Sequence, residues 1–367
     1  MTIHKYFIIS FLSIITLSYC RIKDKHSETA KIDQSSKNTN KNEQLLPPHV
    51  NACGFLYHRF NESKYPSTNI STALFEEQLI YLIQNNIPVI TLGQLLNLNE
   101  NKETKNKYVI ITIDDAFNSF YKYGFPILKK YGVKGTLFIN TETVGSGDYL
   151  GWNELQDLLE YGIEIGNHTH SHDYFLNIDD SRRSDIFKSD VQKAQKLIKE
   201  RLNFEPMVFA YPYGEYDLEM QKVIRDLGFR IATAQNSGVI SNHSDPLALP
   251  RFPMTDNYGK LESFKEKVRM NPLPVVKVLP NRTIPIENPP TLNIQFMNQN
   301  FDLERLQCFI QGSECKIKIL DKQLISIQIT AIGPLKNRRH LYTITIPDKQ
   351  TSEWYWFSHQ WVFPDKP

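Results

Sequence analysis

Three short stretches of this 367-residue chain gather side chains able to do acid–base and metal chemistry. In the first, the apolar run Tyr108–Ile113 leads directly into two adjacent carboxylates, Asp114 and Asp115. Alone, such a pair is also what a helix cap beside a solvated aspartate looks like. In the second, Gly166-Asn167-His168-Thr169-His170-Ser171-His172, three of the ten histidines fall within five residues, again after an apolar run. His168 and His172 are four residues apart, a spacing at which two imidazoles can meet one ion. The third, Phe209-Ala210-Tyr211-Pro212-Tyr213-Gly214, is a proline–glycine turn set among aromatics. By itself such a turn is usually structural.

The joint pattern is more informative than any one stretch. Each group follows a short apolar run, and so does His58, after Cys53–Tyr57. In α/β barrels, functional groups collect on the loops at the carboxyl ends of strands. One carboxylate and two imidazoles make a facial metal site with open positions for water and substrate. The spare carboxylate, Asp114, is then placed to take a proton from that water. Together these residues suit metal-assisted hydrolysis.

The elements that must position them read as alternating strand and helix. Strands are expected at 53–58, 88–92, 108–113, 135–140, 163–167, 207–211, 229–234 and 247–251. Helices are expected at 73–84, 120–131, 152–160, 182–201 and 215–227. Gly132, Gly162 and Gly228 stand where left-handed helix caps are needed. The alternation implies parallel strands with right-handed crossovers, and this many units favours a closed or nearly closed α/β barrel over residues 49–271. Residues 272–290 contain six prolines and read as an extended connection. Residues 291–367 show alternating runs with turn signals and no helical period, a small β-sandwich. Within it, Cys308 and Cys315 can close a local disulfide, while Cys53 reads as a buried strand residue.

Residues 1–20 carry Lys5 and then an uncharged run from Phe7 to Leu17, too short to span a bilayer and the right length for a signal-peptide core. Leu17-Ser18-Tyr19-Cys20 also resembles a lipobox, with a bulky Tyr19 where a small residue is expected, so lipidation of Cys20 and ordinary cleavage after it both stay open. Residues 21–48 are polar and free of aromatics, a flexible tether. Export to the cell envelope or beyond follows, with a membrane contact only through that lipid. With Lys+Arg 42 against Asp+Glu 40, a net charge of +2 offers no pull on nucleic acid.

On these residues the chain resembles the polysaccharide deacetylases, the NodB-homology family also called carbohydrate esterase family 4. Thr112–Phe117 looks like the first motif, His168–His172 within 167–172 like the second, and Phe209–Gly214 like the third. The resemblance spans roughly residues 51–270 and implies a distorted NodB-type barrel that removes N-acetyl groups from a polysaccharide. It implies Asp114 as catalytic base, and Asp115, His168 and His172 as ligands of a divalent metal, Zn²⁺ most simply, with Co²⁺, Ni²⁺ or Fe²⁺ as alternatives. Tyr211 and Tyr213 would contribute to the substrate wall, the Tyr213 backbone N–H donating to the oxyanion. Two departures stand out. Ala210 occupies the place of the third motif's usual arginine, and Arg251, near a later strand end, is the candidate replacement. The late Leu-x-His motif is also absent. Tyr57-His58-Arg59-Phe60 is instead similar to the permuted arrangement of the poly-β-1,6-N-acetylglucosamine deacetylases, which gives His58 the general-acid role. Peptidoglycan or another acylated glycan is the alternative substrate, and a glycan-binding protein on a decayed barrel the alternative of another class. Tyr65 and Trp152 near the site, and Trp354, Trp356 and Trp361 in the sandwich, are candidate sugar contacts or plain packing.

Overall fold

Asn51–Tyr57 (β1) opens a sheet in which almost every side chain is buried. A two-residue ribbon, β2 (Arg59–Phe60) with β3 (Asn69–Ile70), follows, then helix α1 (Thr72–Gln84) and the short strand β4 (Val89–Ile90). Next come β5 (Tyr108–Ile113), α2 (Phe125–Lys130), β6 (Thr136–Ile139), α3 (Trp152–Tyr161), β7 (Glu164–Asn167), α4 (Asp180–Leu202), β8 (Val208–Ala210), α5 (Leu218–Asp226), β9 (Ile231–Thr233), β10 (Val239–Ser241), β11 (Phe252–Pro253) and α6 (Leu261–Arg269). This computed structural model describes residues 46–48, 50–98, 107–297, 300–322 and 325–366. The expected signal segment and nearly all of the tether lie outside the described residues. None of the described helices is long and apolar enough to cross a membrane.

The sheet runs β10-β1-β5-β6-β7-β8-β9, parallel throughout except for β10, with β4 added to β5 and β11 to β1. It curls into a distorted barrel, as the alternation implies. The expected strand at 247–251 does not form as a unit, because Pro246, Pro250 and Pro253 remove ladder donors. Leu249 instead exchanges hydrogen bonds with β9 (Leu249 N–H to Ala232 O, 2.9 Å; Ala234 N–H to Leu249 O, 2.9 Å), and Phe252 and Pro253 pair with Phe55 and Leu56 of β1. The segment 249–253 therefore bridges the two ends of the parallel sheet and carries Arg251 across the gap.

The helices are built from local signals the chain displays. In α4, buried positions Arg183, Phe187, Val191, Ala194, Ile198 and Leu202 recur at steps of three and four. Its Asp179 cap accepts from Ser181 N–H, and Asn203 closes it in the left-handed region at φ 59°. Asp217 caps α5 in the same way, accepting from Met220 N–H.

The C-terminal part contains β12 (Asn271–Pro272), β13 (Val275–Leu279), β14 (Thr291–Phe296), β15 (Gln307–Ile310), β16 (Cys315–Asp321), β17 (Ser326–Ala331), β18 (Arg339–Pro347) and β19 (Trp354–Val362). They form two four-stranded sheets, β12-β19-β18-β15 and β13-β14-β17-β16, over a core that includes Leu292, Ile294, Ile327, Ile329, Tyr342, Ile344 and Trp361. β14 and β17 alternate half-buried and buried residues, as strands with one covered face must. The proline-rich stretch differs from the expected plain connection: β13 lies within it and is a full member of the second sheet. Cys308 and Cys315 form a disulfide that ties β15 of one sheet to β16 of the other.

Candidate active site

Strand register brings the chemistry together. Ile113 lies beside Tyr57 and Leu137, Ile139 beside Asn167, Asn167 beside Phe209, and Ala210 beside Thr233. The strands thus end at a common edge, and the residues that follow them share one rim. Asp114 continues that edge by donating its N–H to Tyr57 O at 2.9 Å, and His168 by donating its own to Ile139 O at 3.0 Å. The backbone beyond is contorted. Asp115, Ala116, Thr169, His172 and Tyr213 all have φ between 55° and 72°, the left-handed region that non-glycine residues avoid. Clustered outliers of this kind mark sites where side-chain aim outweighs local strain.

Asp115 Oδ1 lies 3.3 Å from His172 Nε2 and 3.6 Å from His168 Nε2, and the three donor atoms fall within 4.8 Å of one another. His168 Nδ1 donates to Ala210 O at 2.7 Å, which leaves the Nε2 lone pair facing Asp115. Asp115 Oδ1 is buried and has no hydrogen-bond partner among the described residues. Burial pushes the Asp115 carboxyl up to about 6, against the opposing pull of His58, with the Asp114 charge adding to the rise. Burial likewise drives His168 down to about 3 and lowers His172. Two neutral imidazoles and an orphaned carboxylate oxygen make a donor set that suits a divalent cation such as Zn²⁺.

Asp114 is wholly buried and lies on the other side of this cluster, Oδ2 3.9 Å from His168 Nε2. Arg251 grips it with two prongs, Nη1 to Oδ1 at 2.7 Å and Nη2 to Oδ2 at 2.9 Å. The guanidinium is itself held by Thr112 Oγ1 (3.1 Å) and by Ala234 O (3.0 Å from Nε). Burial alone would raise the Asp114 carboxyl; the Arg251 charge and its two hydrogen bonds outweigh it and hold the group below the usual carboxylate range. Gly54 of β1 makes room for this pair: a Cβ there would meet Pro250 O at 3.1 Å and Arg251 Cγ at 3.2 Å. His58 is half-buried just past β1, within electrostatic reach of both Asp114 and Asp115.

The aromatic wall is only partly as expected. The Tyr213 ring lies 4.6 Å from His172 and stacks on Tyr174 at 3.7 Å with a 4° interplanar angle. Tyr174, 41% exposed, belongs to no motif, although it stands two residues past His172. Tyr211 is a correction. Its side chain turns the opposite way, fully buried among Phe187, Phe209 and Tyr216, so it is core rather than a substrate contact. His170 also faces away, bonded through Nδ1 to Thr141 Oγ1 at 2.9 Å. No local pattern points to Asp190 on α4, which accepts from the N–H groups of His170 (2.6 Å) and Ser171 (3.1 Å) and so shapes the histidine loop. Trp361 is wholly buried, and Trp356 donates to Ser237 O at 3.1 Å while packing edge-on against Phe252. Both are structural.

Comparison with known proteins agrees with this geometry. The polysaccharide deacetylase family matches residues 101–232. A poly-β-1,6-N-acetyl-D-glucosamine N-deacetylase of Staphylococcus aureus is 24% identical over 275 residues, covering 69% of this chain and 94% of that protein. Among solved structures, the deacetylase PplD of Streptococcus pyogenes superposes with a TM-score of 0.53 at 21% identity, over 60% of this chain and 99% of that one. IcaB from Ammonifex degensii gives 0.51 at 24% identity, over 58% and 96%. These two likenesses speak to the fold. Motifs, barrel and family match converge: residues 101–232 match the polysaccharide deacetylase family, and the chain is similar in its motifs and fold to NodB-type deacetylases of carbohydrate esterase family 4.

Proposed function

We propose that this protein is an exported, metal-dependent deacetylase that hydrolyses N-acetyl groups of a poly-β-1,6-N-acetylglucosamine-like polymer, yielding acetate and free amine. The observation that carries the reading is the Arg251–Asp114 pair beside the Asp115–His168–His172 cluster, an ionised base next to a ready cation site. The β-1,6 linkage is supported by the Staphylococcus aureus relative and by a histidine placed early, directly after β1. The Cys308–Cys315 disulfide and the apolar N-terminal run favour an oxidising compartment outside the cytoplasm.

Asp115, His168 and His172 would hold the divalent ion. Bound there, such an ion lowers the pKa of water and polarises a carbonyl. Asp114, kept ionised by Arg251, accepts a proton from the attacking water. His58 approaches from the rim above β1 and donates a proton to the leaving nitrogen, so that the C–N bond breaks to release an amine. The Tyr213 backbone N–H donates to the oxygen on which negative charge develops. The stacked Tyr174 and Tyr213 rings form an apolar wall against which a sugar ring can lie.

Acetate release from N-acetylated β-1,6- and β-1,4-glucosamine oligomers tests the reading, using protein stripped of metal and reloaded with Zn²⁺ or Co²⁺. Metal-dependent release that favours the β-1,6 oligomer is the expected result. Preference for the β-1,4 oligomer would move the substrate to peptidoglycan-type glycans, and release that persists without metal would overturn the mechanism.

A further inference from the structure

We infer that the C-terminal sandwich completes the catalytic rim: Arg338, Arg339 and Gln360 position the Tyr213 loop, with Arg339 the principal positioning residue. The inference rests on the deacetylase reading for what the loop does, and on geometry alone for how it is held.

The loop turns tightly on itself, Gly214 N–H donating to Tyr211 O and Glu215 N–H to Pro212 O, and this sends the next carbonyls away from the barrel. Tyr213 sits at φ 58° and ψ 5°, a conformation a bulky residue does not hold unaided. The acceptors so exposed are met by the sandwich. Arg339, the first residue of β18, donates from Nη1 to Tyr213 O and, at 2.9 Å, to Gln235 Oε1. Gln360 of β19 donates from Nε2 to Gly214 O at 2.9 Å. Arg338 forks onto the next residue, Nε to Glu215 Oε1 at 2.8 Å and Nη2 to Glu215 Oε2 at 2.7 Å, with both side chains largely buried. Its guanidinium also lies 4.5 Å over the Tyr174 ring, the ring stacked on Tyr213.

Tyr213, Gly214, Glu215 and the Tyr174 partner are thus each held by a residue more than a hundred positions downstream. The Tyr213 carbonyl and the Tyr213 N–H lie on adjacent peptide planes, whose relative setting is given by that unusual φ and ψ. A charge-assisted bond that fixes the carbonyl therefore also fixes where that N–H points. The short proline–glycine turn supplies the bend, and the sandwich supplies its aim. The sandwich is then not a detachable sugar-binding module, which agrees with the buried state of Trp361 and the fastened state of Trp356.

The test compares wild type, Arg339→Gln, Arg339→Lys and Gln360→Met in the full chain. Three quantities are read: kcat and KM for acetate release from an N-acetylated β-1,6-glucosamine oligomer, bound Co²⁺ per chain, and hydrogen exchange in the peptide spanning 211–216. Arg339→Gln is expected to lose about 100-fold in kcat, the scale of a misplaced catalytic group, with KM and Co²⁺ stoichiometry unchanged and exchange in 211–216 accelerated. Arg339→Lys, which keeps a charged donor, recovers most of the loss. Should Arg339→Gln not fold, Gln360→Met removes one neutral donor and is expected to give the same signature at several-fold. Wild-type kcat together with wild-type exchange in a folded Arg339→Gln protein would overturn the inference. If the wild type releases no acetate, the functional reading fails, and exchange in 211–216 still decides the positioning claim.

Discussion

Arg251 and Asp114 stand 137 residues apart in the chain and meet in a two-pronged, fully buried ion pair. Ala210 stands where the third motif of the family that this chain resembles carries arginine, and its carbonyl instead orients His168. The guanidinium arrives from the segment that bridges β9 and β1, so closing the barrel and ionising Asp114 are one structural event. A pair so far from water gains little net stability from existing, yet breaking it strands a charge.

Arg251→Met should therefore cost about 3–5 kcal/mol in urea unfolding. It should also abolish acetate release at neutral pH, because burial then acts on Asp114 unopposed and favours its protonated form. In the wild type the Asp114 carboxyl is held below its usual range. Its contribution to stability is thus present above the unfolded value of about 3.9 and is lost only as pH falls through the lower folded value. Arg251→Lys, a single-pronged cation, should fall between the two. Unchanged stability and activity in Arg251→Met would rule out the pairing.

His58 is expected to matter for the leaving group rather than for metal. His58→Gln should lower kcat on N-acetylglucosamine oligomers by about 10²–10⁴-fold while bound metal per chain stays the same. On an activated acetate ester, whose leaving group departs without a proton, the same substitution should have little effect. Equal losses on both substrates would remove the general-acid assignment.

Much of the barrel and its Asp115–His168–His172 cluster is legible in the amino-acid order alone, and the parts that are not have physical reasons. The pattern of an apolar run ending in Asp-Asp or in His-x-His-x-His survives translation into strand and rim because strand ends are set by local hydrophobicity. Arg251 can be nominated from its place after an apolar run, but its register cannot, since Pro250 and Pro253 break the ladder that would fix it. Tyr211 defeats a motif reading because a motif gives residue types, not the face a side chain takes; Pro212 and the left-handed Tyr213 turn the chain between the two tyrosines. β13 is hidden by the prolines on either side of it. Arg338 and Arg339 carry no local signal for the site they serve, because their partners lie in another part of the chain.

Tyr211 offers a clean check on that correction. Its hydroxyl is buried with no partner among the described residues, and burial drives its pKa well up. Tyr211→Phe removes an unsatisfied polar atom at nearly constant shape, so stability should rise by about 1 kcal/mol. Acetate release should be unchanged. A large loss of kcat with intact folding would return Tyr211 to the substrate wall.

Metal affinity should be tied to pH through the same burial that builds the site. In the metal-free protein Asp115 is raised to about 6, so the folded state keeps that proton while the unfolded chain has lost it. The stability this confers is full below about pH 3.9 and disappears as pH rises through about 6. His168, lowered to about 3, works in the opposite sense: its contribution is full above about pH 6.5 and is lost as pH falls toward 3. A cation needs Asp115 ionised and both imidazoles neutral, a state the protein reaches only above about pH 6. Zn²⁺ should therefore raise the unfolding temperature strongly at pH 7–8, by the equivalent of about 4 kcal/mol at a thousandfold excess over Kd. The effect should shrink steadily below pH 6 as protons compete for Asp115, and EDTA should reverse it. His168→Ala or His172→Ala should remove it, and Asp115→Asn should weaken it and flatten its pH dependence. A Zn²⁺ shift of equal size at pH 5 and pH 8, or one that survives loss of either imidazole, would mean that the ion binds somewhere else.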